Sequence, residues 1–229
     1  VPESVLQLVI GGKEIGNELT KLNELNGVAF TGSTTAAKSI NLNLAKSEGP
    51  IKSLIAETGG QNAMFVDSSS LKEQVIDDVI RSAFYSSGQR CSALRVVFVQ
   101  EDIAQEYWEY LNEAMQEIKV GDPQKPCTDI GPIINKTSIS KLQDHVAKLK
   151  KQGKEFIETK EEFDKQSFFM NPIAFKIDSI KEIDGEKFGP VLHFISYKTS
   201  DLDNLINEIN ATGFGLTMGV HSRILDKAK

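Results

Sequence analysis

Short apolar runs alternate with amphipathic stripes along nearly the whole of this chain, and that alternation confines it to one fold class. Residues 6–10, 28–30, 53–56, 94–99, 191–195 and 216–221 are apolar stretches of strand length. The segments between them place apolar side chains at helical spacing: Ala36, Ile40 and Leu44, then Ile76, Ile80 and Phe84 beside Leu71, Val75 and Val79. Ile103, Tyr107, Leu111, Ala114 and Ile118 form another such stripe, and Ile139, Leu142, Val146 and Leu149 a further one. Gly11-Gly12 leads into a helical stretch ending near Asn26-Gly27, and residues 201–210 read as a last helix. Strands separated by helices pair in parallel, because a parallel crossover needs a helix-sized connection. The expected class is α/β with a mainly parallel sheet. The first three strands and their helices form a βαβαβ unit, and a change of domain is expected at Gly59-Gly60, giving residues 1–59 and 60–229.

Local signals refine this. Ser70-x-x-Glu73 has the form of a capping box, in which Ser accepts from a helix N–H and Glu reaches back. The helix it opens should run to about Tyr85 and leave Cys91 on the loop before strand 94–99. Gly153 should stop the helix that carries the Ile139 stripe. Residues 158–166 are charged and read as a surface loop.

Composition excludes more than it selects. At 229 residues and 40% hydrophobic content the chain can bury a substantial core in one or two domains. A net charge of −6 argues against a nucleic-acid surface, which needs clustered Lys and Arg. No apolar run approaches the roughly 20 residues of a membrane span, and no signal peptide is visible. Cys91 and Cys127 are too few for a disulfide framework, which points to a reducing cytoplasm.

Two glycine-flanked loops hold the candidate chemistry. Glu57-Thr58-Gly59-Gly60 places a carboxylate just after a predicted strand, and Gly88-Gln89-Arg90-Cys91-Ser92 places a thiol just after a predicted helix. Singly, each has a bland reading: a lone Cys behaves as a small hydrophobe, and a Glu before Gly-Gly is a solvated turn. Together they suffice for acyl chemistry, with sulfur attacking a carbonyl carbon and the carboxylate activating water. Thr31-Gly32-Ser33-Thr34 lies where a strand turns into a helix, a place suited to phosphate but also to an ordinary turn. On its residues alone, Glu186-Lys187-Phe188-Gly189-Pro190 is a turn before strand 191–195. His145, His193 and His221 join no Cys or carboxylate at metal-ligand spacing, so no metal site is expected. Cys127 reads as an incidental loop residue, and Tyr107, Trp108 and Tyr110 as helix packing.

The thiol–carboxylate pair, its spacing and its flanks resemble the aldehyde dehydrogenase superfamily, whose general-base motif is Glu-Leu-Gly-Gly and whose nucleophile lies in Gly-Gln-x-Cys. Further family landmarks follow in order: Phe30-Thr31-Gly32-Ser33-Thr34, Val120-Gly121-Asp122-Pro123, Asp129-Ile130-Gly131-Pro132, Glu186-Lys187-Phe188-Gly189-Pro190-Val191 and Gly213-Phe214-Gly215-Leu216. Thr58 stands where Leu is usual, and Ala37 where Gly is frequent. The strings from Glu57 to Met64 and from Gln89 to Arg95 narrow the resemblance to the 1-pyrroline-5-carboxylate (glutamate semialdehyde) dehydrogenase module of bifunctional proline-utilisation, PutA-type, enzymes.

That resemblance implies the second half of a Rossmann-type NAD-binding domain in residues 1–59 and an α/β catalytic domain in residues 60–229, truncated at its C-terminal end. It implies an oxidoreductase of proline catabolism that converts glutamate 5-semialdehyde to glutamate. Cys91 would be the nucleophile and Glu57 the general base. Thr31, Gly32 and Ser33 would meet the NAD pyrophosphate, Glu186 the nicotinamide ribose and Phe188 the nicotinamide ring. Arg90 and Ser92 would face the substrate. FAD would belong only to a separate proline dehydrogenase domain of the longer, homo-oligomeric, cytoplasmic enzyme. The family's side-chain oxyanion Asn and adenosine-ribose Lys lie upstream of what this chain includes, so the isolated piece is expected to be inactive. Other readings stay open: an aldehyde dehydrogenase of different substrate, a cysteine acyl hydrolase, which needs a base paired to sulfur, and a non-catalytic interaction or structural domain.

Overall fold

In the computed structural model, which describes residues 2, 4–163, 167–224 and 226, the chain divides into two compact units, Val1–Gly59 and Gly60–Lys229. The first unit contains α1 (Lys13–Leu19), β1 (Gly27–Thr31), α2 (Thr34–Lys46) and β2 (Ser53–Glu57). β1 and β2 pair in parallel from Gly27 opposite Ser53 to Thr31 opposite Glu57, joined through α2. Ser33 caps α2, its hydroxyl accepting from the Ala36 N–H at 3.2 Å. Ala37 and Leu44 are the buried positions of α2, with Ile40 half-buried between them. Asn43 ties α2 back to α1 by donating to Asn17 Oδ1 and Thr20 Oγ1, both at 2.9 Å.

Two expectations fail in this unit. Residues 6–10 form no strand, and Leu6, Leu8 and Ile10 are 85%, 85% and 87% exposed. A strand exists only where another strand satisfies its backbone, and among the described residues none pairs with this run. The first helix also ends at Leu19, well before Asn26-Gly27.

The second unit contains β3 (Asn62–Val66), α3 (Lys72–Phe84), β4 (Leu94–Gln100), α4 (Glu101–Gln116) and α5 (Lys136–Lys151). It continues with β5 (Phe156–Glu158), β6 (Ile173–Lys176), β7 (Val191–Tyr197), α6 (Leu202–Ala211) and β8 (Met218–His221). Its sheet has the order β5-β6-β7-β4-β3-β8, with every pairing parallel except that of β5 with β6. Alternate residues of the four central strands, β6, β7, β4 and β3, enter opposite cores. Met64, Val66, Val97 and Val99 pack with α3 and α4, whereas Ala63, Phe65, Val96 and Phe98 pack with α5 and the apolar residues of α6. Phe65 stacks on Phe98 with ring centroids 4.8 Å apart. Each fully buried Val, Ile or Phe on these strands contributes about 1.5–3 kcal/mol by leaving water. That double covering explains why residues 96–99 of β4 read as continuously apolar rather than alternating.

The helix stripes appear as expected, but some edges of the reading do not. Leu71, not Ser70, is the N-cap of α3, and it makes no side-chain cap bond. The Ser70 hydroxyl instead shares a 2.8 Å hydrogen bond with the Tyr107 hydroxyl of α4, so the capping box does not form. Residues 158–166 are not wholly a loop: Glu158 closes β5, Thr159 is buried, and 164–166 lie outside the described residues. A three-residue strand inside a charged stretch carries too little periodicity to be seen in sequence. Gly153 does end α5, with φ +72°.

Candidate functional site

The thiol loop is built by an abrupt change of backbone after α3. Tyr85–Gly88 forms a short 3-10 turn in which Ser86, Ser87 and Gly88 all have left-handed φ values, +57°, +56° and +62°. Two consecutive serines in that region cost on the order of 1–2 kcal/mol each and persist only if their surroundings hold them. The Ser87 hydroxyl donates to the Gly131 carbonyl at 2.7 Å. Gln89 donates to the Pro132 carbonyl at 3.0 Å and accepts from the Ile134 N–H at 2.8 Å. The Gly88-Gln89 and Gly131-Pro132 motifs, far apart in sequence, are therefore one bonded assembly. Gly88 must be glycine for a second reason: a Cβ there would lie 2.1 Å from the Gly189 carbonyl oxygen.

Cys91 follows in a tight turn closed by the Ala93 N–H donating to the Arg90 carbonyl at 3.0 Å, and it is half-buried. Asn62, at the start of β3, donates to the carbonyls of Cys91 at 2.7 Å and Ala93 at 2.8 Å. Its own oxygen accepts from the Thr217 N–H at 3.2 Å. Arg95, at the start of β4, is 1% exposed and donates to the carbonyls of Gly88 at 2.7 Å and Arg90 at 3.0 Å. It also reaches the Gly189 carbonyl at 3.3 Å and the Glu186 carboxylate at 3.2 Å. Burial pushes the Arg95 guanidinium down from its ordinary value, opposed first by the Glu186 carboxylate and then by the Cys91 sulfur.

The proposed site residues divide between the units. Thr31, Gly32, Ser33 and Glu57 belong to the first: Glu57 is exposed and ends β2, its carbonyl accepting from the Gly32 N–H at 3.0 Å. In the second unit Cys91, Glu186 and Phe188 converge on Arg95. Glu186 is 18% exposed and also accepts from the Gly60 N–H at 3.3 Å, and the Phe188 ring centroid lies 5.3 Å from the guanidinium. Arg90 and Ser92 line, with Met64, Asp78, Arg81 and Tyr85, an open depression of about 550 Å³. Arg90 donates to the Arg81 carbonyl at 2.9 Å. Arg95 and Asn62 received no role from sequence, although each interrupts the start of an otherwise apolar strand. That is the signal a buried polar clamp leaves.

The imidazoles form a separate feature. His193 on β7 donates through Nδ1 to the Arg95 carbonyl at 2.9 Å, so its Nε2 accepts from His145 Nε2–H on α5, also at 2.9 Å. Desolvation, chiefly, pushes His145 down to about 3 and His193 down to about 4. Unfolded histidine titrates near 6.5. Below that pH the unfolded chain takes up protons that the folded pair refuses, so stability is full above about 6.5 and falls as pH drops towards 4. Each histidine contributes a slope of at most about 1.4 kcal/mol per pH unit in that window. Urea unfolding of this chain, followed by Trp108 fluorescence, should show the decline, and His145→Gln should reduce its slope by about half. Trp108, the one tryptophan, packs on Phe194 beside His193 with centroids 5.2 Å apart. An identical slope in the variant would remove the pair from the account.

With the geometry in view, the comparisons decide the family. The family model described as "Aldehyde dehydrogenase family" matches residues 1–229. The chain belongs to the aldehyde dehydrogenase family. It is 43% identical to the bifunctional protein PutA of Klebsiella aerogenes, over 98% of this chain and 18% of that protein. It is 33% identical to a 1-pyrroline-5-carboxylate dehydrogenase of Geobacillus sp. (strain WCH70), over 97% of this chain and 44% of that one. A crystal structure of a bifunctional proline utilization A (PutA) protein superposes with a TM-score of 0.93 at 45% identity, covering all of this chain and 23% of that chain. The PutA structure from Bdellovibrio bacteriovorus inactivated by N-propargylglycine gives 0.84 at 28% identity, over 91% of this chain and 22% of that one. The aldehyde dehydrogenase fold is thus shown, on a chain that spans less than a fifth of the length of the PutA relative from Klebsiella aerogenes. No helix among the described residues is long and apolar enough to cross a membrane.

Proposed function

We propose that this chain carries the nucleophile and general base of an NAD-dependent dehydrogenase that oxidises glutamate 5-semialdehyde, the opened form of 1-pyrroline-5-carboxylate, to glutamate. The observation that most supports this is the clamped thiol loop, in which the carbonyls on either side of a half-buried Cys91 are held from within by Arg95 and Asn62. One relative's name, 1-pyrroline-5-carboxylate dehydrogenase, supports the reaction; on this reading the chain is part of a longer, cytoplasmic, homo-oligomeric enzyme of proline catabolism.

Each unit by itself carries residues suited to part of a dinucleotide. Ser33 caps the thirteen-residue helix α2, whose first-turn N–H groups and dipole suit a pyrophosphate together with Thr31 and Gly32. Glu186 commits Oε1 to Arg95 and Gly60, leaving Oε2 to accept from a ribose hydroxyl. Phe188 offers a partly exposed ring face. NAD, when bound, supplies the hydride acceptor.

The chain's own chemistry then runs as follows. The Cys91 thiolate attacks the aldehyde carbon, and the developing oxyanion meets the Cys91 backbone N–H. Two-electron oxidation of that adduct leaves a thioester on sulfur. Glu57 takes a proton from the water that hydrolyses it, releasing a carboxylate and restoring the thiol. Arg90 and Ser92, with Arg81 beside them, give the 550 Å³ depression the donors that a substrate carboxylate requires.

The test is selectivity. In the longer enzyme, kcat/KM for glutamate semialdehyde should exceed that for an aliphatic aldehyde lacking a carboxylate by about 10–100-fold, the worth of charge-assisted hydrogen bonds. Equal values would overturn the substrate assignment and leave only general aldehyde oxidation. This 229-residue chain alone should show weak NAD binding by calorimetry and no turnover, because its first unit holds a two-stranded sheet and dinucleotides bind across a larger one.

A further inference from the structure

The guanidinium of Arg95 touches the thiol loop, the Gly189 turn and the Glu186 carboxylate together. Its effect on Cys91 follows from peptide geometry. In a planar trans peptide the C=O of one residue and the N–H of the next point in opposite directions. Arg95 draws the Arg90 carbonyl inward, so the Cys91 N–H is turned outward, and among the described residues that N–H has no hydrogen-bond partner. Asn62 acts alike one peptide later, drawing in the Cys91 carbonyl. The Arg90 carbonyl is saturated, taking one bond from Arg95 and one from the Ala93 N–H, so the peptide has no reason to flip.

We propose that Arg95 is a positioning residue for Cys91: by gripping the Gly88 and Arg90 carbonyls together with Glu186, it aims the Cys91 amide N–H outward and locks the thiol loop to the carboxylate assigned to the cofactor. The inference rests on the proposed acyl chemistry at Cys91. Lysine cannot replace it, since one ammonium has no planar fork with which to span two carbonyls and a carboxylate. The charge also matters, because the guanidinium and the Cys91 sulfur interact electrostatically and Glu186 offsets part of that field.

The experiment uses the longer enzyme with Arg95→Lys, Glu186→Gln and the double variant, each checked for wild-type circular dichroism and melting. Two readouts are taken. One is kcat and KM for the aldehyde. The other is the rate of Cys91 alkylation by iodoacetamide without cofactor, across the neutral to alkaline range, read by peptide mass so that exposed Cys127 is counted apart. Arg95→Lys should lower kcat by about 10²-fold with KM little changed, since misaim of a donor is felt at the transition state. It should also slow Cys91 alkylation. Glu186→Gln should instead speed alkylation a few-fold by removing the countercharge, and the double variant should follow Arg95→Lys alone. Additive effects in the double variant, or an alkylation profile unmoved in either single variant, would overturn the proposal. Should Arg95→Lys not fold, Glu186→Gln decides by itself, because its carboxylate lies at the partly exposed end of the clamp. The alkylation arm needs no aldehyde turnover, so it separates failure of the clamp from failure of the catalytic reading, which Cys91→Ala addresses.

Discussion

Cys91→Ala should abolish aldehyde oxidation in the longer enzyme while leaving NAD affinity close to wild type. The thiol forms the bond on which every later step depends, and no binding interaction replaces a missing nucleophile; the loss should be roughly 10⁴–10⁶-fold in kcat. Structure should survive the change. The groups that hold the loop are backbone carbonyls gripped by Arg95 and Asn62, and alanine keeps all of them. Glu186 and Ser33 are equally untouched, so calorimetry should return an unchanged dissociation constant for NAD. Turnover within tenfold of wild type would remove Cys91 from the mechanism and with it the proposed function.

Glu57→Gln should separate the two halves of the reaction. Thioester formation does not need the base, so one equivalent of NADH should appear rapidly. Hydrolysis does need it, so the steady state that follows should be slower by about 10²–10⁴-fold, the usual contribution of a positioned general base. Glutamine keeps the shape at the end of β2, where the backbone carbonyl of residue 57 accepts from Gly32 regardless of side chain. Stopped-flow absorbance at the NADH band is the measurement. Loss of the burst itself would place Glu57 before hydride loss, as an activator of the thiol, and would overturn its assignment to hydrolysis.

Sequence made the framework legible wherever a stripe was long. Val75, Ile76, Val79, Ile80 and Phe84 of α3 are buried as their spacing required, though Leu71 of the same stripe is exposed; of the second stripe Tyr107, Leu111 and Ile118 are buried and Ile103 and Ala114 partly so. It failed where an apolar run pairs with no strand among the described residues, as at residues 6–10, and where a strand was only three residues long, as in β5. The Ser70 cap failed for a different reason. A hydroxyl has several possible partners, and Tyr107, remote in sequence, competes for it. At the site, Cys91 and Glu186 could be singled out because their motifs are contiguous. Arg95 and Asn62 act on carbonyls that carry no side-chain signature, so their work is visible only once β3, β4 and the thiol loop are folded together. The His145–His193 contact is equally hidden, since neither residue has a local pattern that names the other.

The turn around Cys91 separates two jobs along a few consecutive residues. On the inward side the carbonyls of Gly88, Arg90, Cys91 and Ala93 are anchored by buried donors, and Gly88 is confined by its contact with Gly189. The side chains of Arg90 and Ser92 are exposed and line the open depression, the Arg90 guanidinium also donating to the Arg81 carbonyl. On the roles proposed above, such a layout would let the choice of aldehyde drift at those two positions while the sulfur of Cys91 and its amide keep their aim. Descendants of one scaffold can thus trade substrates without having to rediscover the chemistry.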